Sequence, residues 1–538
     1  MQGWRRSTAI GVLLASGLVC PAPSVAAPAQ EAPRFPGGVE RVRLDVVVID
    51  GAGRPVEGLT AADFAVDENG RPRRIETFEP IVVRLASAPA TTASGPTLAA
   101  TPLTFAPDQG RCVLVLLDDV HLAASTAQQL RFHLVPFLQR ELREGDWVTL
   151  VAPHAHVWWT ARTAWERAQL PAILNRIGGQ YLRDPFRTHV SDFDAMQEVE
   201  RQPSGPHGGS LASGDVIGSR SLLVEEVYAV ARRRISATLS QLREAVASLA
   251  GFRGHKSLVL YSQGFILAPR FPEFEQVIEA ARRANVAVHF LDPRGMQSTC
   301  FETGGGEECD NSLTGWMKSA AGAVSLAEAT GGRDSRLNDP VSEVRRILEE
   351  SQAYYLIGYA PLEGGPAQRK VRARVLRDGL KVLARTRYVV LRPEQLKAKT
   401  APEVEALRSV SDATDLPIRA EVQPSGPEAP DRAVRTSEKE GRTAVAVPIT
   451  VELDGQAGAS EPRRLSLLIE ARPRDKGDPV VDQAQVTVST PDKPARFERV
   501  LHLVPGIWQV RVVVHDIATD RLGSVRLTFE VPPINLPR

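Results

Sequence analysis

The sequence predicts an α/β chain: a mostly parallel sheet flanked by helices, with a small N-terminal β unit before it and a C-terminal β-sandwich after it. Three observations lead there. Between residues 110 and 392, strand-length apolar runs alternate with helical periodicity, the pattern of β-α repeats. The run Val113-Leu114-Val115-Leu116-Leu117 is continuous rather than alternating, as a strand buried on both faces requires. Six short strand-like runs between Thr443 and Val531 follow one another without helices, which is how a sandwich reads.

The elements follow in order. Arg5-Arg6, the uncharged stretch Thr8 to Val19 and the small residues Ser24-Val25-Ala26 make 1–26 an export signal. Its apolar part is shorter than the roughly 20 residues a membrane span needs. No second apolar stretch of that length follows, so the mature chain is expected outside the cytoplasm, secreted or in the periplasm or cell envelope, without an integral membrane segment. Residues 27–37 read as a disordered leader. The 38–85 segment reads as a β unit: Val42, Leu44, Val46 and Val48 alternate, and Asn69-Gly70 is a hairpin signal. Residues 86–109 and 393–440 read as linkers around the α/β domain at 110–392, with a flexible insertion at 178–220 and a sandwich at 441–533.

Lys and Arg total 65 against 64 Asp and Glu, so the chain lacks the basic excess of a dedicated nucleic-acid binder. Four cysteines are few. Cys112 opens the apolar strand and reads as a buried small hydrophobe. Cys300 and Cys309 share a Gly-rich loop, and in an oxidising compartment they read as a local disulfide.

The chemistry concentrates where the apolar run stops at Asp118-Asp119. Acids at the carboxyl end of a sheet strand sit where open α/β folds bind ligands. Adjacent carboxylates raise one another's pKa, which suits acid–base work. The blander reading has one acid at the rim and the other capping the next helix or pairing with a base. His121, His154, His156 and His289 fall near strand ends, but a zinc site needs three or four converging ligands. Ser262 stands at a strand end before Gln263-Gly264. Tyr261 and Leu260 precede it, so the Gly-x-Ser-x-Gly nucleophile elbow is not met.

Taken in order, several motifs resemble the von Willebrand factor type A family, in its exported bacterial branch. They are Val113–Asp119, Gly145–Val151, Lys256–Phe265 with its Ser262-Gln263-Gly264-Phe265, Ala327–Gly332 and Tyr354–Tyr359. The resemblance spans roughly residues 38 to 392 and implies a Rossmann-like sheet and a metal-ion-dependent adhesion site. The family's metal loop is Asp-x-Ser-x-Ser, with a Thr and a second Asp from later loops. Asp118 matches the first acid, and Thr160 or Thr163 stands for the Thr. Val120 and Leu122 occupy both Ser positions, and Gln263 replaces the second Asp. One acid without hydroxyl partners makes at most a weak site for Mg²⁺ or Ca²⁺, which take several hard oxygen ligands. The degenerate site therefore implies metal-independent binding and no cofactor.

The expectation is an exported, non-enzymatic adhesion or scaffold protein. A protein partner would meet the rim of Asp118, Asp119, His121, Thr160, Thr163, Ser262 and Gln263. Two other classes stand beside it: a hydrolase using Asp118 and Asp119 with a histidine, and a purely structural envelope component.

Overall fold

The computed structural model describes residues 42–82, 97–104, 110–143, 145–180, 192–201, 216–252, 256–267, 271–293, 320–335, 340–350, 352–362, 364, 368–389, 401–424, 433–435, 443–455, 462–489 and 493–533. The expected signal segment, the leader and the Cys300–Cys309 pair lie outside the described residues.

Around the acid pair the chain builds one six-stranded mixed sheet. Its order is Asp334–Ser335, Val286–Leu291, Lys256–Tyr261, Cys112–Leu117, Trp147–Ala152 and Val157–Ala161. The first five pair in parallel, and the last turns back antiparallel. Successive strand side chains point to opposite faces, which explains the unbroken apolar run. Cys112, Leu114 and Leu116 enter one core with the long helix Val216–Ser248 and the helix Pro272–Ala284. Val113, Val115 and Leu117 enter the other, against the helices Ala124–Glu141 and Pro340–Glu350. Burial pushes the Cys112 thiol pKa well up, so this cysteine is a packed hydrophobe.

The expected fold class is nevertheless overturned. Of the described residues, 41% are strand and 30% helix, and four of the five sheets among them are wholly antiparallel. The chain is not built on a Rossmann-like, mostly parallel sheet flanked by helices; parallel pairing is confined to the single mixed sheet. The clearest departure is the strand Ala353–Tyr359, which carries the motif expected to close the parallel sheet. It pairs antiparallel with Val42–Ile49 and Ile75–Val82 instead. Its alternate residues Tyr355, Ile357 and Tyr359 pack with Leu44, Val46 and Val48, while Tyr354 packs with Val47 and Ile49 on the opposite face. A short apolar run buried on both faces does not specify its neighbour's direction.

The N-terminal segment is thus interleaved with residues 353–389. Phe64–Glu68 pairs with Gln368–Val375 and, through Asn69-Gly70, with Arg71–Arg73. Asn69 and Gly70 both have positive φ, 50° and 77°, as a tight hairpin turn of the primed type demands.

At the C-terminus, two antiparallel sheets share one core of Val, Leu and Ile with Trp508 and Phe529. Segments read as linkers join this body. Ala99–Ala100 pairs with Ile418–Val422, and the helix Pro402–Arg408 packs beside Leu468 and Val513 through Ala406. After Thr163 the helical stretch is split into Ala164–Arg167 and Leu170–Asn175. Pro171 explains the split, because proline lacks the N–H and crowds the carbonyl four residues earlier. Within the stretch expected as a flexible insertion, the chain forms the helix Asp192–Arg201 and the start of Val216–Ser248. Among the described residues no helix is long and apolar enough to cross a membrane.

Candidate functional site: a closed knot around Asp118

Asp118 follows the central strand directly, and its N–H donates to the Tyr261 carbonyl at 2.9 Å, extending the sheet by one bond. Its carboxylate turns inward and is 1% exposed. Oδ2 accepts from Ser262 Oγ at 2.7 Å and lies 2.9 Å from His121 Nδ1. Oδ1 accepts from Thr238 Oγ1 at 3.0 Å and more loosely from the His121 N–H at 3.4 Å. Burial alone would raise this pKa. The His121 charge and the hydrogen bonds from His121, Ser262 and Thr238 outweigh it and hold the carboxyl below its ordinary value.

Asp119 points elsewhere. Its oxygens accept the backbone N–H groups of His154, at 3.1 Å, and Ala155, at 2.8 Å, in the turn between Trp147–Ala152 and Val157–Ala161. Burial pushes its pKa up to about 6; the two N–H donors oppose the rise and the Asp118 charge adds to it. The Asp119 carbonyl accepts from Gln180 N–H, and Gly179 lies against the Leu122–Ala123 backbone, where an added Cβ would come within 2.2 Å of the Leu122 oxygen. Neither acid caps the next helix, whose N-cap is Ala123 without a side-chain bond. The two adjacent carboxylates thus tie down two different parts of the fold.

The structure brings together Asp118, Asp119, His121, Ser262 and, at the edge, Gln263, whose Nε2 donates to Thr126 Oγ1 at 3.0 Å. It does not bring in Thr160 or Thr163. Thr160 Oγ1 bonds Thr149 Oγ1 at 3.0 Å, and its backbone N–H and C=O are both taken by the Gln509 side-chain amide, which continues the sheet edge as another strand would. Thr163 caps the short helix Ala164–Arg167 in a capping box with Glu166. Sequence reasoning passed over Thr238, although a signal was there. Ala231, Ile235, Leu242 and Ala245 form the buried stripe of the long helix, and Thr238 is the polar residue in that stripe.

Two chemistries can be tested on this geometry. In a Ser-His-Asp triad the imidazole stands between hydroxyl and carboxylate, so it can take the serine proton. Here the carboxylate stands between: Ser262 donates to Asp118, His121 meets the same oxygen, and Ser262 Oγ also accepts from Gly264 N–H. Ser262 is 0% exposed. A divalent cation at roughly 2.0–2.6 Å from Asp118 would have to displace the hydroxyls and the ring that already hold both oxygens. It would also gain a single carboxylate, so the residues present do not fit Mg²⁺ or Ca²⁺. Among the described residues no three His, Cys, Asp or Glu side chains are grouped to hold a metal. His289 lies elsewhere, accepting Arg333 N–H at 3.2 Å through Nδ1.

No family model matches the chain, and no curated protein does. Among solved structures it is similar to the TFIIH p34 N-terminal domain, at 12% identity and a TM-score of 0.21 over 44% of this chain and 96% of that one. It is similar to a structural-genomics target at 13% identity and 0.16, over 22% of this chain and 92% of that one. It is also similar to a β-glucosidase from Listeria innocua in complex with isofagomine, at 10% identity and 0.13, over 85% of this chain and 49% of that one. At these TM-scores the likenesses carry no argument about fold or activity.

Proposed function

We propose that the protein is an exported, non-enzymatic binding or scaffold protein, with a protein partner and no resident metal. One observation carries the reading: the motif-bearing acid at the strand end, Asp118, has its oxygens engaged by Ser262, Thr238 and His121 inside the fold. A carboxylate held that way positions elements and does not meet a ligand. It fastens the central strand to the neighbouring strand through Ser262 and to the long helix through Thr238. The knot thus fixes the loops at this end of the sheet as a rigid surface, which suits recognition, because binding to a preorganised surface loses less entropy.

Two arms of one experiment test this. Full-length protein is treated with a fluorophosphonate probe that labels activated serines, and separately cross-linked in envelope extracts with and without chelator. The reading expects no labelling at Ser262 and the same specific partner in both cross-linking samples. Stoichiometric labelling of Ser262 establishes the hydrolase instead, and a partner lost on chelation contradicts metal independence.

A further inference from the structure

The C-terminal body holds a histidine between two acids, far in sequence from the Asp118 knot. His515 stands near the end of the strand Gly506–Asp516, paired with Ser466 on one side and with Leu522 of the strand Arg521–Val531 on the other. The helix Pro402–Arg408 covers this face of the sheet, where Val404, Ala406 and Leu407 pack against Leu468, Val513 and Leu522. His515 is 7% exposed beneath it. Its Nδ1 lies 3.1 Å from Glu403 Oε1 on the helix, and its Nε2 lies 2.9 Å from Asp520 Oδ1 in the turn that joins the two strands.

A carboxylate only accepts hydrogen bonds, so each contact needs an N–H on the ring. Neutral imidazole has one N–H and imidazolium has two. The observed geometry is therefore that of the protonated ring. The shift agrees: burial alone would lower the His515 pKa, and the hydrogen bonds and charges of Glu403 and Asp520 outweigh it and raise the value. Burial would raise the Glu403 pKa, but a backbone bond and the bonds from His515 and Ser466 hold it below its ordinary value, so Glu403 is ionised. The other charged groups on the packed elements are engaged elsewhere. Asp516 pairs with Arg463, Arg408 with Glu244, Glu470 with Arg472, and Arg511 with Asp412, which Arg162 shares. Arg521 donates to the Asp415 carbonyl and Arg526 to those of Val410 and Ser409. Glu405 on the helix and Arg464 on the neighbouring strand make no bond to the ring.

The two acids differ in what they can do when the ring loses a proton. The Glu403 side chain is 17% exposed and the Asp520 side chain 62%. One remaining N–H stays with the acid that cannot reach water easily, and the other acid turns outward. Asp520 also has a left-handed backbone, φ 53°, a conformation that few residues other than Gly, Asn and Asp adopt, so its side-chain bond helps to hold the turn. We propose that His515 is a proton-operated latch: as imidazolium it ties the turn at 517–520 to the helix Pro402–Arg408, and as neutral imidazole it keeps the helix and releases the turn. The latch's contribution is complete below the unfolded-state value and is lost as pH rises through the folded one. It stands independently of the binding-scaffold reading.

Full-length protein labelled at the histidine ring nitrogens is titrated by NMR, with the His515 signals assigned by their loss in His515→Asn. Amide exchange at 517–521 is followed over the same pH range, corrected for the intrinsic rate. His515 should titrate above the ordinary histidine value of about 6.5, and above that point should carry its proton on Nδ1. Glu403→Gln should lower the titration by about one pH unit, and Asp520→Asn by less, because water screens an exposed acid. Protection of the turn should fall as His515 loses its proton, and should be low at every pH in Asp520→Asn, which keeps the left-handed residue type. If Glu403→Gln does not fold, Asp520→Asn alone decides. Titration at or below the ordinary value, a proton left on Nε2, a titration unmoved in the variants, or turn protection that does not follow it overturns the proposal.

Discussion

The Asp118 knot and the Asp412 arginine cluster are both charged groups taken out of water, and they are compensated in opposite ways. At Asp118 one carboxylate meets two hydroxyls and one imidazole, so its acceptor sites are engaged and nothing protrudes. At Asp412 one carboxylate serves two arginines while a third, Arg526, lies against carbonyls. Strength of burial does not separate the two regions; completeness of pairing does. A satisfied charge is a structural lock, and the over-supplied one leaves the buried Arg511 Nε without a partner.

The comparison can be broken by substitution, and the largest effect falls at the arginine cluster. Asp412→Ala leaves Arg162 and Arg511 buried without their shared carboxylate, and should cost about 5 kcal/mol in urea unfolding. A loss under about 1 kcal/mol would mean that water already enters the cluster. Asp118→Ala should cost about 4 kcal/mol, since it orphans donors from His121, Ser262 and Thr238 together.

Next comes a pH effect of opposite sign within one dipeptide. Asp118, with its pKa lowered, adds stability above the unfolded-state value, and this is lost as pH falls through its folded value. Asp119, raised to about 6, binds more protons folded than unfolded between pH ~4 and ~6, so its contribution falls as pH rises through that window. The cost is about 3 kcal/mol once both states are ionised. Unfolding curves from pH 4 to 7 should therefore show a downward component that Asp119→Asn removes. An unchanged slope in that variant would assign the titration to another group. The smallest effect is Ser262→Ala, about 1 kcal/mol, because Thr238 and His121 still hold the carboxylate.

Much of the local structure was legible. The strands Cys112–Leu117, Lys256–Tyr261 and Val286–Leu291 and the helix Pro272–Ala284 stand where their apolar periodicity places them. The wiring was not. Ala353–Tyr359 carries a two-faced apolar pattern that serves either sheet, and its partner Val42–Ile49 lies some 300 residues earlier in the chain. Pairing over such a separation leaves no local trace, so residues 42–82 read as a unit of their own when they are half of two shared sheets. Of the candidate rim, Asp118, Asp119, His121 and Ser262 were legible because chain proximity and strand ends bring them together. Thr160 and Thr163 were misplaced because a strand-end Thr reads the same whether it faces a rim or a docking partner such as Gln509. Thr238 was missed because a single hydroxyl on a 33-residue helix looks like a solvated position until its stripe is traced.

The central claim is that Asp118 acts as an internal lock and not as a metal ligand. Thermal unfolding of the full-length protein and of Asp118→Asn, each with excess chelator, Mg²⁺ or Ca²⁺, tests it most directly. The account predicts one Tm for the unsubstituted protein in all three conditions, and a lower Tm for the variant that is likewise indifferent to metal. A Tm that rises with Mg²⁺ or Ca²⁺ in the unsubstituted protein, and no longer does so in Asp118→Asn, would contradict it.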